Sequence, residues 1–213
     1  MASTERKQKA DDVSAFFVTT FTPVKSLEHG KSRLSEKLGL DDRIRLTYES
    51  LRHIVHALQR VGRVREIVII SRDPQVTEWA SQWHVTHVSE EQRGLNEALR
   101  EARQLFTQAE AILVLPSDLA ALSVADVTGM IEAADAANAR RAVVIAPDRH
   151  GQGTNALLLR PPDVIDFAFG NDSATRHAEA ARAIGLTPIF FKSDSISLDL
   201  DSPEDYALYW DQW

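Results

Sequence analysis

The sequence predicts an α/β domain built on a mostly parallel sheet with helices on both faces. Short apolar and β-branched runs such as AFFVTTF, REIVIIS, AILVLP and AVVIAP alternate with stretches of helical period along the chain. Strand–helix alternation implies parallel strands joined by crossovers. The 213 residues suffice for one sizeable domain and would leave two cramped. No repeat, low-complexity tract or internal linker interrupts the pattern.

The elements follow in order. Residues 1–14, MASTERKQKADDVS, are polar, lack the apolar stretch of a signal peptide and predict a flexible tail, leaving the domain over 15–213. AFFVTTF (15–21) is a buried strand. From Asp41, a plausible N-cap, Ile44, Tyr48, Leu51, Val55, Leu58 and Val61 mark one face of an amphipathic helix. REIVIIS (65–71) is a second strand, Asp73-Pro74 opens a helix through Trp79 and Trp83, and HVTHV (84–88) is a third strand. A helix over 95–106 leads to AILVLP (111–116), and a helix from Ser123 to about Ala137 follows. AVVIAP, NALLLR, TPIFF and SISLDL supply the remaining strands, with helices near 174–184 and 203–211.

Composition narrows the function. A net charge of −7 argues against a sequence-independent grip on nucleic acid, so an anionic ligand needs a local cluster of donors or a bound cation. No apolar run reaches the roughly 18 residues of a membrane span. The absence of cysteine rules out disulfides, thiolate metal sites and cysteine nucleophiles, and fits an expected cytoplasmic location. There is no G-x-G-x-x-G after the first strand, no P-loop and no G-x-S-x-G elbow.

In open α/β sheets ligands bind beyond the carboxyl ends of the strands. After the first strand, PVKSLEHGKSRL gathers Lys25, Lys31 and Arg33, either as a solvated basic loop or as a polyphosphate clamp. In LPSDLAAL, Asp118 directly follows an apolar strand; it either caps the next turn or offers oxygens to a hard cation such as Mg²⁺. In LDLDSPED, Asp199 and Asp201 alternate on an expected strand and would share a face, while Ser202 and Pro203 read as a helix start. With Asp118 across a cleft they would form a divalent-cation site. DRHGQGTN places glycines, Thr154 and an asparagine between two strands, either as a plain hairpin turn or as a loop whose amides approach an anion. FGNDSATRH sets Gly170 and Ser173 before a helix whose N-terminus either is simply capped or receives a phosphate. In RGLNEAL, Gly94 and Asn96 open a helix, with Asn96 either a cap or a reader of a nucleobase edge. His53 and His56 on the long helix are expected at its surface or boundary.

The order PVK…KSRL, GLN-x-AL, LP-x-DL, APDRHG-x-GTNALLLRPP, FG-x-x-S-x-x-RH and LD-x-D-x-PED resembles the CofC/FbiD guanylyltransferases of deazaflavin coenzyme F-420 biosynthesis. The likeness runs from about residue 17 to 208, and its one departure is a missing proline after the aspartate-leucine pair of LPSDLAAL. The resemblance implies a single-domain Rossmann-like nucleotidyltransferase fold of the GT-A, molybdenum-cofactor-guanylyltransferase (MobA-like) kind. It further implies transfer of GMP from GTP to the phosphate of a small phosphorylated carboxylic acid, with release of pyrophosphate. Asp118 and Asp199 would then hold one or two Mg²⁺ ions, with Asp201 as a further ligand. Thr154, Gly170 and Ser173 would bind the acceptor, and Gly94 and Asn96 the nucleotide. Lys25, Lys31 and Arg33 would neutralise the triphosphate. His150, beside the glycine loop, is a candidate contact for the acceptor carboxylate or hydroxyl. The acceptor stays open among 2-phospho-L-lactate, phosphoenolpyruvate and 3-phospho-D-glycerate, and a homodimer is allowed. Two other readings stand beside this one: a sugar-phosphate or molybdenum-cofactor nucleotidyltransferase of the same fold, and a non-catalytic nucleotide-binding module.

Overall fold

The computed structural model describes residues 15–91, 94–137 and 140–212, so the tail expected over 1–14 lies outside the described residues. Seven strands form one sheet: β1 (Val18–Pro23), β2 (Val64–Ile70), β3 (Thr86–Val88), β4 (Ala111–Val114), β5 (Ala142–Pro147), β6 (Thr154–Arg160) and β7 (Ile189–Phe190). Their spatial order is β3-β2-β1-β4-β6-β5-β7, and all run parallel except β6. Residues 148–153 are too few for a crossover, so β5 and β6 form an antiparallel hairpin. The chain builds from β1 outward to β3, then restarts with β4 on the other flank of β1. That reversal between β1 and β4 is where such sheets open a crevice.

Helices α1 (Leu40–Gln59), α2 (Pro74–Gln82) and α4 (Val124–Ala136) cover one face, while α3 (Leu95–Leu105) and α5 (Ser173–Ala183) cover the other. The pleat divides each central strand between two cores. In β4, Ala111 and Leu113 face the first helical layer, and Ile112 and Val114 the second. In β6, Ala156 and Leu158 alternate in the same way with Leu157 and Leu159. Burial on both faces explains why these strands read as continuous apolar runs.

Three local expectations change. The first strand starts at Val18 and runs to Pro23, carrying the sheet up to the basic loop. Helix α1 starts two residues early, with extended Gly39 before it; Asp41 sits in the first turn instead of capping it, where a carboxylate suits the helix dipole. SISLDL is no strand. Residues Asp194–Ser197 form one helical turn, α6, capped by Ser193, whose hydroxyl accepts from the Ile196 amide. The hydroxyls of Ser193 and Ser195 also donate to Asp126 at 2.5 and 2.7 Å. Burial pushes the Asp126 carboxyl up, but hydrogen bonds from Ser123, Ser193 and Ser195 outweigh it and hold the group below the usual carboxylate range. Polar side chains tied to α4 have overridden an apolar alternation that imitates a strand. Asp199 and Asp201 therefore leave an irregular segment ahead of α7 (Pro203–Gln212), and a shared strand face no longer accounts for their placement.

Candidate active site

A cleft of about 350 Å³ opens at the carboxyl ends of β1, β2 and β4. Lys25, Lys31, Gly94, Asp118, Phe169 and Asp201 line it. A groove of about 590 Å³ between α1 and α7, lined by Arg45, His53, His56, Tyr206 and Tyr209 among others, holds none of the expected site residues.

The basic loop is folded, not loose. Arg43 donates to the Gly30 carbonyl at 2.6 Å, and the Leu27 amide donates to Asp73 Oδ2 at 2.9 Å. Asp73 also caps α2 through its other oxygen, so one carboxylate fixes both the loop and the neighbouring helix. Lys31 adopts a left-handed backbone, with φ of 50°, and sends its ammonium inward to the Leu200 carbonyl at 2.8 Å. Burial pulls the Lys31 amine below its usual value, while Asp118, Asp201 and Asp199 push the other way. Lys25 and Arg33 stay exposed, and Arg33 pairs with Asp201 at 2.8 Å.

The two acidic motifs lie against each other. The Leu200 amide donates to the Asp118 carbonyl at 3.1 Å, stitching the LDLD segment onto the loop after β4. Asp118 Oδ1 is buried and has no hydrogen-bond partner among the described residues. Burial, and then the neighbouring Asp118 charge, raise Asp199 above the usual carboxylate range. Asn155 donates to Asp199 Oδ1 at 3.2 Å and to the Ile196 carbonyl at 2.9 Å, fixing the carboxylate from β6. An orphaned oxygen beside a carboxylate with raised affinity for protons is a place short of positive charge. One or two carboxylates are the protein donor set that Mg²⁺ takes when phosphates complete its shell. Among the described residues no cluster of three or more Asp, Glu or His side chains reaches metal-binding proximity. Asp201, already paired with Arg33, is the least available of the three aspartates.

The glycine loop takes the hairpin form, the plainer of its two readings. Its amides at His150, Gln152 and Gly153 all point to the Asp148 carboxylate, at 3.1, 2.9 and 2.9 Å. The anion in this loop is thus the chain's own, and the hairpin reading accounts for its backbone. A Cβ on Gly153 would approach Asp148 Oδ2 to 2.7 Å, which explains that glycine. His150 sits on the exposed tip, its Nε2 accepting from Arg149. Thr154 is buried, with its hydroxyl 3.1 Å from His177 Nδ1. Since His177 Nε2 accepts from the Ala168 amide at 3.0 Å, the ring proton is on Nδ1 and Thr154 Oγ1 accepts it. Gly170, with φ of 119°, is exposed, and Ser173 is buried at the first turn of α5.

Asn96 is neither a helix cap nor a free base reader. Its Nδ2 donates to the Phe169 carbonyl at 3.0 Å, and its Oδ1 accepts from the Phe169 amide at 2.8 Å. Gly94, with φ of 126°, precedes α3, and a Cβ there would meet Glu97 at 2.7 Å. Sequence reasoning missed Asn155, Asp148 and His177 as organisers of the site. For Asn155 the available signal was a polar residue inside the otherwise apolar buried strand β6; Asp148 in a loop and His177 in a mixed helix carried none.

The architecture is that of the nucleotidyltransferases. A nucleotidyl transferase from Methanothermobacter superposes with a TM-score of 0.63 at 16% identity, covering 92% of this chain and 96% of its own. The 4-diphosphocytidyl-2C-methyl-D-erythritol synthase fold gives 0.61 at 16% identity, over 91% of this chain and 97% of its own. Within that class the sequence is more specific: the family described as "Guanylyl transferase CofC like" matches residues 18–208, and the chain belongs to that family. A phosphoenolpyruvate guanylyltransferase of Rubrobacter xylanophilus is 40% identical over 192 residues, 89% of this chain and 92% of that protein. One from Sphaerobacter thermophilus is 36% identical, covering 86% and 87%. A 2-phospho-L-lactate guanylyltransferase of Methanothermobacter thermautotrophicus is 35% identical, covering 86% and 79%. No helix among the described residues is long and apolar enough to cross a membrane.

Proposed function

We propose that this protein transfers GMP from GTP to the phosphate of a small phosphorylated carboxylic acid, phosphoenolpyruvate first among them, in the biosynthesis of coenzyme F-420. Membership of the CofC-like family supports the reaction class. The names of its relatives at 40% and 36% identity support the acceptor. The observation that carries the reading is the convergence of Lys31, Asp118 and Asp199 at the switch point of the sheet. A non-catalytic module would have no need to bury a cation against carboxylates at that place.

The acceptor phosphate is ionised at neutral pH, so no general base is required. Its oxygen attacks the α-phosphorus of GTP. The bond from that phosphorus to the bridging oxygen of the β-phosphate breaks, and pyrophosphate leaves with the electron pair. The protein contributes alignment and charge neutralisation, as in phosphoryl transfer generally. Lys25, Lys31 and Arg33 surround the triphosphate with positive charge, and Gly94 brings backbone close to the nucleotide. Gly170, Ser173 and the exposed His150 face the acceptor, with Thr154 supporting them from beneath through His177. Asp118 and Asp199 would hold Mg²⁺, which when bound neutralises the α-phosphate and the leaving pyrophosphate.

The test follows pyrophosphate from purified protein given GTP and, in turn, phosphoenolpyruvate, 2-phospho-L-lactate or 3-phospho-D-glycerate. Turnover should be fastest with phosphoenolpyruvate and much slower with ATP, CTP or UTP as donor. Equal turnover with UTP and a sugar phosphate would instead place the protein among the sugar nucleotidyltransferases.

A further inference from the structure

The segment from Phe167 to Gly170 borders the cleft through Phe169, and four side chains from α3 and α5 hold it. Asn96, on the second residue of α3, holds both backbone polar groups of Phe169. Arg176 donates to the same carbonyl at 3.1 Å, and Arg100 donates to that of Phe167 at 3.2 Å. His177 accepts from the Ala168 amide and packs edge-on against the Phe169 ring, with centroids 5.1 Å apart. Phe169 in turn lines the cleft beside Gly94, Leu95 and Ala98 of α3. Gly170 ends this segment, and Ser173 opens α5 three positions on.

Resting on the function proposed above, we propose that Asn96 is a positioning residue that sets the acceptor half of the cleft against the nucleotide half. By fastening Phe169 to the start of α3, it fixes how far Gly170 and Ser173 stand from the triphosphate loop. A primary amide fits this task because it presents a donor and an acceptor on one planar edge, matching the N–H and C=O of one residue. The edge that would read a guanine is the edge turned to Phe169. Positioning of this kind acts on the acceptor, because the loop that moves when the clasp opens carries the acceptor contacts, while Lys25, Lys31 and Asp118 stand on other elements.

The experiment compares wild type with Asn96→Ala and Asn96→Asp. Two ordinary hydrogen bonds lost correspond to about tenfold or more. Asn96→Ala should raise the acceptor KM by that factor, leave the KM for GTP within about twofold, and leave the preference for GTP over ATP unchanged. Asn96→Asp keeps the oxygen that accepts from the Phe169 amide and should fall between the two, which keeps the test open should the alanine variant fold poorly. A raised KM for GTP with relaxed donor choice would overturn the proposal and make Asn96 a base reader. Unchanged kinetics would overturn it too. Hydrogen exchange at the Phe169 amide gives a readout independent of activity: protection should fall in Asn96→Ala. If wild type transfers no GMP, the proposed function fails, and the exchange measurement still decides whether the clasp exists.

Discussion

Lys31 and Leu200 are joined by a hydrogen bond of 2.8 Å, from the ammonium of one to the carbonyl oxygen of the other, across 169 positions of chain. This bond brings the basic loop after β1 onto the acidic segment before α7. It shows why an acidic chain gathers cations there. One of the three, Lys31, is built into the carboxylate cluster, and the other two remain at its mouth.

Lys31→Met tests that arrangement. It removes the charge that offsets Asp118, Asp199 and Asp201 but retains much of the buried stem. Turnover should fall at least about a hundredfold, in line with the loss of one main electrostatic stabiliser. Without Mg²⁺ the melting temperature should fall as well, because carboxylates are left facing one another. Added Mg²⁺ should recover part of that loss. A variant that melts and turns over like wild type would return Lys31 to the status of a solvated residue.

The Asp148 loop gives a prediction about folding. Three amides bond to one carboxylate, and Gly153 has no room for a side chain. Asp148→Ala leaves those amides without their acceptor and should cost about 1–3 kcal/mol. Gly153→Ala should cost a similar amount through crowding against Asp148. Because one change removes the group that the other collides with, the double variant should be less destabilised than the sum of the two. Additive losses in denaturant titrations would show that the two residues do not meet.

Much of this was legible in the sequence because the signals are local. Asp118 stands out as a charge ending an apolar strand, and Asp73-Pro74 and Ser123 announce helix starts. The sites that were misread depend on partners far along the chain. SISLDL alternates like a strand, yet Ser193 and Ser195 bond to Asp126, 67 and 69 positions away. The amide of Asn96 is absorbed by Phe169, 73 positions away. Glycine spacing allowed an anion-binding loop, but the anion is the chain's own Asp148, two to five positions before the amides that hold it, and spacing does not separate that carboxylate from a ligand's.

His177 makes stability depend on pH. Burial, and then the Arg176 charge, lower its pKa to about 4 from an ordinary 6.5, so the folded protein holds it neutral. The unfolded chain binds a proton that the native state refuses. The resulting stability is fully present above about pH 6.5, declines as pH falls toward about 4, and does not change further below that. The whole step amounts to about 3 kcal/mol. Carboxylates titrate in the same range, so the measurement is a difference: unfolding free energies of wild type and His177→Asn between pH 7.5 and 4.5. Wild type should lose more stability on acidification than the variant. Parallel profiles would mean that the ring is free to take up a proton in the folded state.

The carboxylate pair supplies the strongest test of the chemistry. Asp118 and Asp199 lie 81 positions apart, yet the charge of one raises the pKa of the other. Asp118 Oδ1 is buried and accepts no hydrogen bond among the described residues, so that oxygen caps nothing. Replacing it by asparagine keeps the shape and removes a charge from a place where carboxylates crowd. Asp118→Asn should therefore leave the fold intact and raise the melting temperature slightly in the absence of divalent cation. Stabilisation by added Mg²⁺ should shrink, and kcat should drop at least about a hundredfold, the scale of one lost electrostatic contact to the reacting phosphates. Asp199→Asn should lower kcat comparably. Asn155→Ala, which frees Asp199 without removing it, should cost less in kcat and be partly compensated at high Mg²⁺. Measured across a Mg²⁺ titration, near-normal turnover in both aspartate variants would make these carboxylates structural and leave the proposed mechanism without its cation site.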